Sequence, residues 1–236
     1  MSSLLNQVDP WQTFEQDVLE IVGIALEMLR NLPELSAAED PINRKLYQLI
    51  VEDALNEWEH QTGHVMIQGL LYEARNQPDP FDEEKTPRED KRPELQWQFR
   101  DMKRSMGVNF WDYTIECKRL GRSSSPSWIL NRNYITNGVM RFINKDWDYG
   151  HLCQSGLMVG YVQSMNPFEI ITEVNHFAVE YSVPELILRA DKWSDTKPNR
   201  LDHELNRPDL IPQRFSLRHL WIDVRHYFLP SDDAGV

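Results

Sequence analysis

Apolar residues at Val18, Ile21, Val22, Ile24, Ala25, Met28 and Leu29 recur at helical spacing and predict a first helix over Phe14 to Arg30, closed by Asn31-Leu32-Pro33. Leu46, Leu49, Ile50, Ala54, Leu55 and Trp58 repeat the pattern over Pro41 to Trp58, where Asp40 is the expected N-cap with Pro41 at the first helical position. Between His60 and Gln77 the pattern is ambiguous, and Val65 to Tyr72 fits a strand or a short helix. Leu95-Gln96-Trp97-Gln98-Phe99 alternates apolar with polar and reads as a strand, and Asp101 to Val108 is expected to turn the chain into a second strand at Tyr113 to Lys118. Ile135, Val139, Phe142 and Ile143 predict one helix over Asn131 to Asn144. Leu157 to Val162 is a continuous apolar run, the pattern of a strand buried on both faces. A further helix is expected over Pro167 to Tyr181, then strands at Leu186 to Arg189 and Phe215 to Arg225, joined by a polar loop containing Asn199 to Pro208.

This order of elements points to an α/β fold with a central mixed β-sheet flanked by helices. The Pro- and acid-rich stretch Asn76 to Pro93 is the clearest loop, and little of it is expected to be buried. With no long linker, 1–236 reads as a single domain: N-terminal helices over 1–60, a core over 92–190, and a disordered tail over 230–236.

Charge and composition narrow the partners. The 236 residues carry a formal net charge of -12, which argues against a surface that coats nucleic acid broadly. Acidic residues crowd the ends, however, and Lys91 to Arg141 is rich in Lys and Arg, leaving room for a local basic cleft. Two cysteines, Cys117 and Cys153, cannot form a disulfide framework or a Cys-rich zinc site. No signal-like opening and no apolar run of membrane-spanning length is seen, so a soluble, cytoplasmic protein without a membrane partner is expected.

The chemistry centres on Asn109 to Gly121. In a strand, the period of two puts Thr114, Glu116 and Lys118 on one face and Ile115 and Cys117 on the other. Glu and Lys are poor strand-interior residues, and the pair has two readings: an exposed cross-face ion pair, or a metal site with Glu116 as ligand and Lys118 steadying a water and a phosphate. If the Leu95 and Glu116 strands form a hairpin, Glu94 approaches Glu116. Two close carboxylates repel unless a cation lies between them, and oxygen ligation suits Mg²⁺ or Mn²⁺.

Pro93-Glu94, followed after 21 residues by Glu116-Cys117-Lys118, resembles the PD-(D/E)xK motif of the restriction-endonuclease-like nuclease superfamily. The resemblance implies a restriction-endonuclease-like core, with Glu94 and Glu116 as metal ligands, the Cys117 carbonyl as a third, and Lys118 as the catalytic residue. It further implies a Mg²⁺- or Mn²⁺-dependent phosphodiesterase acting on nucleic acid, DNA in preference to RNA, with defence against foreign DNA as a role by analogy. Glu94 departs from the motif, standing where the family has Asp. Asp112 competes for that place, but at about 13 Å from Glu116 along an extended strand it is too far to share a metal. The family often adds an acid from the preceding helix; Glu39, Glu52, Glu59 and Glu73 are candidates, Glu39 preferred over the others, against a reading as a solvated capping turn.

Arg119, Ser124, Tyr134, Asn137 and Arg141 form a candidate nucleic-acid rim, with Tyr134, Asn137 and Arg141 sharing one helix face. The competing reading puts Tyr134 in the core and pairs Arg141 with an acid. His60 and His64 have the spacing of helical metal ligands but lack a third; His219 and His226 read as structural. The alternative to an enzyme is a catalytically inactive module of the same fold that binds nucleic acid or a protein partner, a reading that the eight tryptophans favour. Duplex cleavage would call for a homodimer or a partner.

Overall fold

The computed structural model describes residues 9–67, 69–78, 84–100, 110–123, 125–190 and 192–228. The chain begins with α1 (Pro10–Arg30), capped by the Asp9 side chain, which accepts from the Trp11 N–H. Its apolar stripe, including Val18, Ile21, Val22, Ala25, Leu26 and Leu29, is fully buried. Next come α2 (Glu39–Leu49), a π-helical turn (Ile50–Ala54) and α3 (Leu55–Thr62), which ends at Gly63 in the left-handed conformation, φ 71°. Asp40 is not the N-cap of α2. That position is Ala38, which caps nothing with its side chain, and Pro41 falls in the first turn, where its missing N–H costs no intrahelical bond.

The strands are β1 (Leu70–Tyr72), β2 (Leu95–Arg100), β3 (Phe110–Leu120), β4 (Ser155–Val162), β5 (Ile187–Leu188), β6 (Asn199–Asn206) and β7 (Arg214–Asp223). They form one seven-stranded mixed sheet in the order β1-β2-β3-β4-β7-β6-β5. β1, β2 and β3 are an antiparallel meander, β3, β4 and β7 run parallel, and β6 and β5 add antiparallel at the far edge. Helix α4 (Leu130–Thr136) lies between β3 and β4, and α5 (Pro167–Glu180) between β4 and β5. The fold is therefore α/β with a mixed sheet, N-terminal helices and further helices between the parallel strands. Every residue of β4 is buried, as its continuous apolar run requires.

Two expectations fail. Asn199–Asn206 is a strand, not a loop: its polar residues alternate with Leu201 and Leu205, and burial alternates with them, so a half-buried strand was hidden by composition. The single helix over Asn131 to Asn144 is broken in two, α4 and a 3₁₀ turn (Val139–Phe142). Gly138 makes the break: a Cβ there would lie 2.4 Å from the Tyr134 carbonyl oxygen and 2.6 Å from Met158 Cε, so the chain bends where its backbone meets β4. In the Asn76–Pro93 loop, Asn76 and Pro93 are buried and Pro87–Asp90 forms a 3₁₀ turn. The turn at 101–108, Ser124 and the tail from 230 lie outside the described residues.

Candidate functional site

The β2–β3 hairpin pairs Leu95 with Ile115, so Glu94 enters β2 opposite Glu116. The Glu116 side chain is fully buried and Lys118 is only 7 % exposed, which excludes the exposed ion pair. Burial of both faces of β3 has a simple cause: α4 and the 3₁₀ turn at Val139–Phe142 cover the face that carries Thr114, Glu116 and Lys118, with Gly138 between them against Lys118 and Arg141 on Glu116, while α1 packs on Tyr113 and Asn43 of α2 reaches Tyr161 on the face of Ile115 and Cys117.

Five charged residues meet here, Glu39, Glu94, Glu116, Lys118 and Arg141. Lys118 Nζ is 2.8 Å from Glu116 Oε1, 2.8 Å from Glu39 Oε1 and 3.8 Å from Glu94 Oε1, and it also donates to the Cys117 carbonyl at 2.8 Å. Glu39 is the first residue of α2, and its second oxygen accepts from the Arg119 N–H at 3.1 Å. Of the four candidate helix acids, Glu39 is the one brought to the site. Arg141 Nη1 is 2.5 Å from Glu116 Oε1 and its guanidinium stacks 4.2 Å from the Trp147 ring centre.

Both cations thus bind the same oxygen of Glu116. Oε2 is buried and has no hydrogen-bond partner, a costly state for a carboxylate oxygen. Three carboxylates face two close cations, and the excess negative charge falls on Glu94. Burial, then the charge of Glu116, pushes its pKa up to about 7, against the pull of Lys118. Burial disfavours the Lys118 ammonium, yet Glu116 and Glu39 outweigh it and its pKa is raised, so the lysine stays charged. Arg141 is likewise opposed by burial and held charged by Glu116.

A divalent cation beside Glu116 Oε2 and Glu94 would satisfy the orphaned oxygen and relieve the repulsion. Among the described residues no group of three His, Cys, Asp or Glu side chains is arranged to hold a metal ion. Mg²⁺ is commonly held by one or two carboxylates with water completing the shell, so Glu94 and Glu116 fit such an ion as a minimal set. The Cys117 carbonyl is turned to Lys118.

The rim divides. Tyr134 is fully buried, its hydroxyl hydrogen-bonded to His219 Nδ1 at 2.7 Å and to Trp221 Nε1 at 2.7 Å, so it is a core residue that cannot reach a nucleic acid. Arg141 pairs with Glu116, and Arg119 is tied through Nη1 to the Ala37 carbonyl at 3.1 Å. Asn137 is exposed, where its amide donates to Asn133 Oδ1. The helix break at Gly138 separates Tyr134 and Arg141, which is why they do not share a face. Asp112 lies four residues back on β3, beside Gln98 and Arg88, away from the cluster. His60 and His64 form no metal group, and His219 is fully buried. Nor do the tryptophans mark a partner surface: Trp11, Trp58, Trp97 and Trp221 are core residues, and Trp128 alone of the eight is exposed.

Asn43 went unnoticed in the sequence. It is fully buried, its Oδ1 accepts from the Tyr161 hydroxyl at 3.0 Å, and its Nδ2, without a full hydrogen bond, lies near enough to Glu94 to lower that group's pKa. The available signal was its place four residues after Glu39, on the same helix face.

Comparison with known protein families, curated proteins and solved structures finds no match to this chain. Among the described residues, no helix is long and apolar enough to cross a membrane.

Proposed function

We propose that the chain is a metal-dependent nuclease of the PD-(D/E)xK type that hydrolyses phosphodiester bonds in nucleic acid, DNA in preference to RNA, with a role in defence against foreign DNA by analogy. The observation that carries this reading is the division of labour on Glu116: Lys118 and Arg141 share Oε1, and Oε2 is left buried without a partner, with Glu94 across the hairpin close enough to feel the charge of Glu116. The order of elements supports it as well, with helices first, a hairpin carrying the acids, then a helix and a buried parallel strand.

In this reading Glu94 and Glu116 would hold the ion. A bound Mg²⁺ or Mn²⁺ would polarise the phosphoryl group and lower the pKa of a bound water. Lys118, kept protonated by its acids, offsets charge that develops on the phosphate and does not act as a base. Glu39 fixes the position of Lys118, and Arg141 keeps Glu116 turned so that one oxygen stays available.

A second reading, an inactive module that binds nucleic acid or a protein partner, is favoured by one specific observation. An ammonium has three donors, and Glu39, Glu116 and the Cys117 carbonyl occupy all three on Lys118. Plasmid incubated with Mg²⁺ or Mn²⁺ separates the two. Nuclease activity is expected in the wild type and not in Lys118→Ala or Glu116→Ala; cleavage that survives both substitutions overturns the site. Absence of cleavage, together with no Mn²⁺ binding by calorimetry, selects the second reading.

A further inference from the structure

A groove of about 620 Å³ opens beside the acid cluster, lined by Asp40, Pro41, Arg44, Tyr47 and Gln48 of α2 and by Tyr72 of β1. Its volume is in the range of small-molecule sites. Its position relative to the cluster is set by covalent and main-chain neighbours. Asp40 follows Glu39; Tyr72 pairs with Leu95, the residue after Glu94; and the Glu73 N–H donates to the Glu94 carbonyl at 2.9 Å.

The lining has an unusual chemistry for a surface held together only by folding. Tyr47 and Tyr72 bring their rings to 5.4 Å at an interplanar angle of 43°, and both are half-buried. Arg44 is exposed and has neither an ion pair nor a hydrogen bond to any described residue. Asp40, one turn away, does not close onto it. Arg44, Tyr47 and Gln48 are spaced three and four apart, so they present one face of the helix. The cations inside the cluster, Lys118, Arg119 and Arg141, are each already bound to an acid.

We propose that this groove takes one unpaired nucleobase of the strand whose phosphate lies at Glu94, Glu116 and Lys118. The inference rests on the nuclease reading and narrows its substrate to single-stranded or locally unpaired nucleic acid. The tyrosine rings supply a stacking surface, which accepts any base. Asp40 accepts from an exocyclic amino group, the Gln48 amide completes contact with the base edge, and Arg44 meets the flanking phosphate. A phosphate does not belong deep in the groove, because Asp40 in its wall repels it. A base inside an intact duplex cannot reach the rings without leaving its stack.

The test is fluorescence anisotropy with a short labelled oligonucleotide, single-stranded and as its blunt duplex, with chelator present so that nothing is cut. Wild type is expected to prefer the single strand. Tyr47→Ala is expected to weaken single-strand binding about tenfold or more, Tyr47→Phe to restore it, and exposed Arg44→Gln to weaken it and flatten its salt dependence. Thermal melts of each variant separate lost contact from lost folding. Equal affinity for the two forms, or single-strand affinity unchanged in both Tyr47→Ala and Arg44→Gln, overturns the proposal. Preference for the single strand that depends on Tyr47, in a protein that cuts nothing with Mn²⁺, upholds the groove and removes the nuclease. Cleavage whose KM is indifferent to Tyr47 and Arg44 does the reverse.

Discussion

Glu39 Oε1 lies 2.8 Å from Lys118 Nζ, across 79 residues of sequence, and this contact joins the start of α2 to the C-terminal end of β3. Its partner oxygen holds the Arg119 N–H, so one carboxylate spans helix and sheet. Glu39→Gln is expected to destabilise the protein by about 1–3 kcal/mol, because it leaves a buried ammonium short of an acid. Denaturant unfolding reads that loss. If Lys118 acts on phosphate, kcat for cleavage falls in this variant while KM is kept; a loss confined to KM would show that Glu39 serves binding instead.

Glu94 links pH to stability. Its pKa is raised from 4.5 to about 7, so between those values the folded chain holds a proton that the unfolded chain has lost. The stabilisation it gives is present below about 4.5 and disappears as pH rises through about 7, a swing on the order of 3 kcal/mol. Glu94→Gln is expected to flatten this part of the stability curve in chelator and to be the more stable protein at pH 8. Added Mn²⁺ should stabilise wild type at that pH and leave Glu94→Gln unmoved. A wild type indifferent to Mn²⁺ would remove Glu94 from the ion's ligands.

His203 works in the opposite sense. Burial lowers its pKa from 6.5 to about 4, and the neighbouring His219, whose ring centre is 5.5 Å away, is pushed well down by burial and by His203. A depressed histidine is neutral in the fold and protonated in the unfolded chain between those values. Stability is therefore complete above 6.5 and lost as pH falls toward about 4, by about 3 kcal/mol for His203. His203→Gln should remove that part of the acid-limb loss in urea titrations at pH 7 and pH 4.5, and an unchanged acid limb would show that folding does not hold His203 neutral.

Tyr134→Phe separates core from rim. Losing the hydroxyl leaves Trp221 Nε1 and His219 Nδ1 without their partner inside the core, at a cost of about 1–3 kcal/mol. Nucleic-acid affinity is expected to be unchanged at a temperature well below the variant's midpoint. A selective loss of affinity with stability intact would return Tyr134 to the binding surface.

The sequence by itself determined the α/β class, both long N-terminal helices, the β2–β3 hairpin, the buried strand β4 and the Glu-x-Lys pair on one face of β3. These follow from periodicity, which records how each residue is buried along its own element. Strand β6 escaped because its buried side is itself partly polar, Asn199 and His203 lying with Leu201 and Leu205, and the Gly138 break escaped because its cause, the backbone of Tyr134 and the side chain of Met158, is partly far away in sequence. Tertiary structure alone decided which acid of four meets Lys118, that Arg141 caps Glu116 while Tyr134 turns to His219, and that Glu116 Oε2 is left bare. Each of these is a distance of a few ångströms between residues up to 85 positions apart, set by how α2, α4 and the 3₁₀ turn pack against the sheet. Periodicity carries no information about such distances, because it fixes the face a side chain occupies and not the partner it finds there.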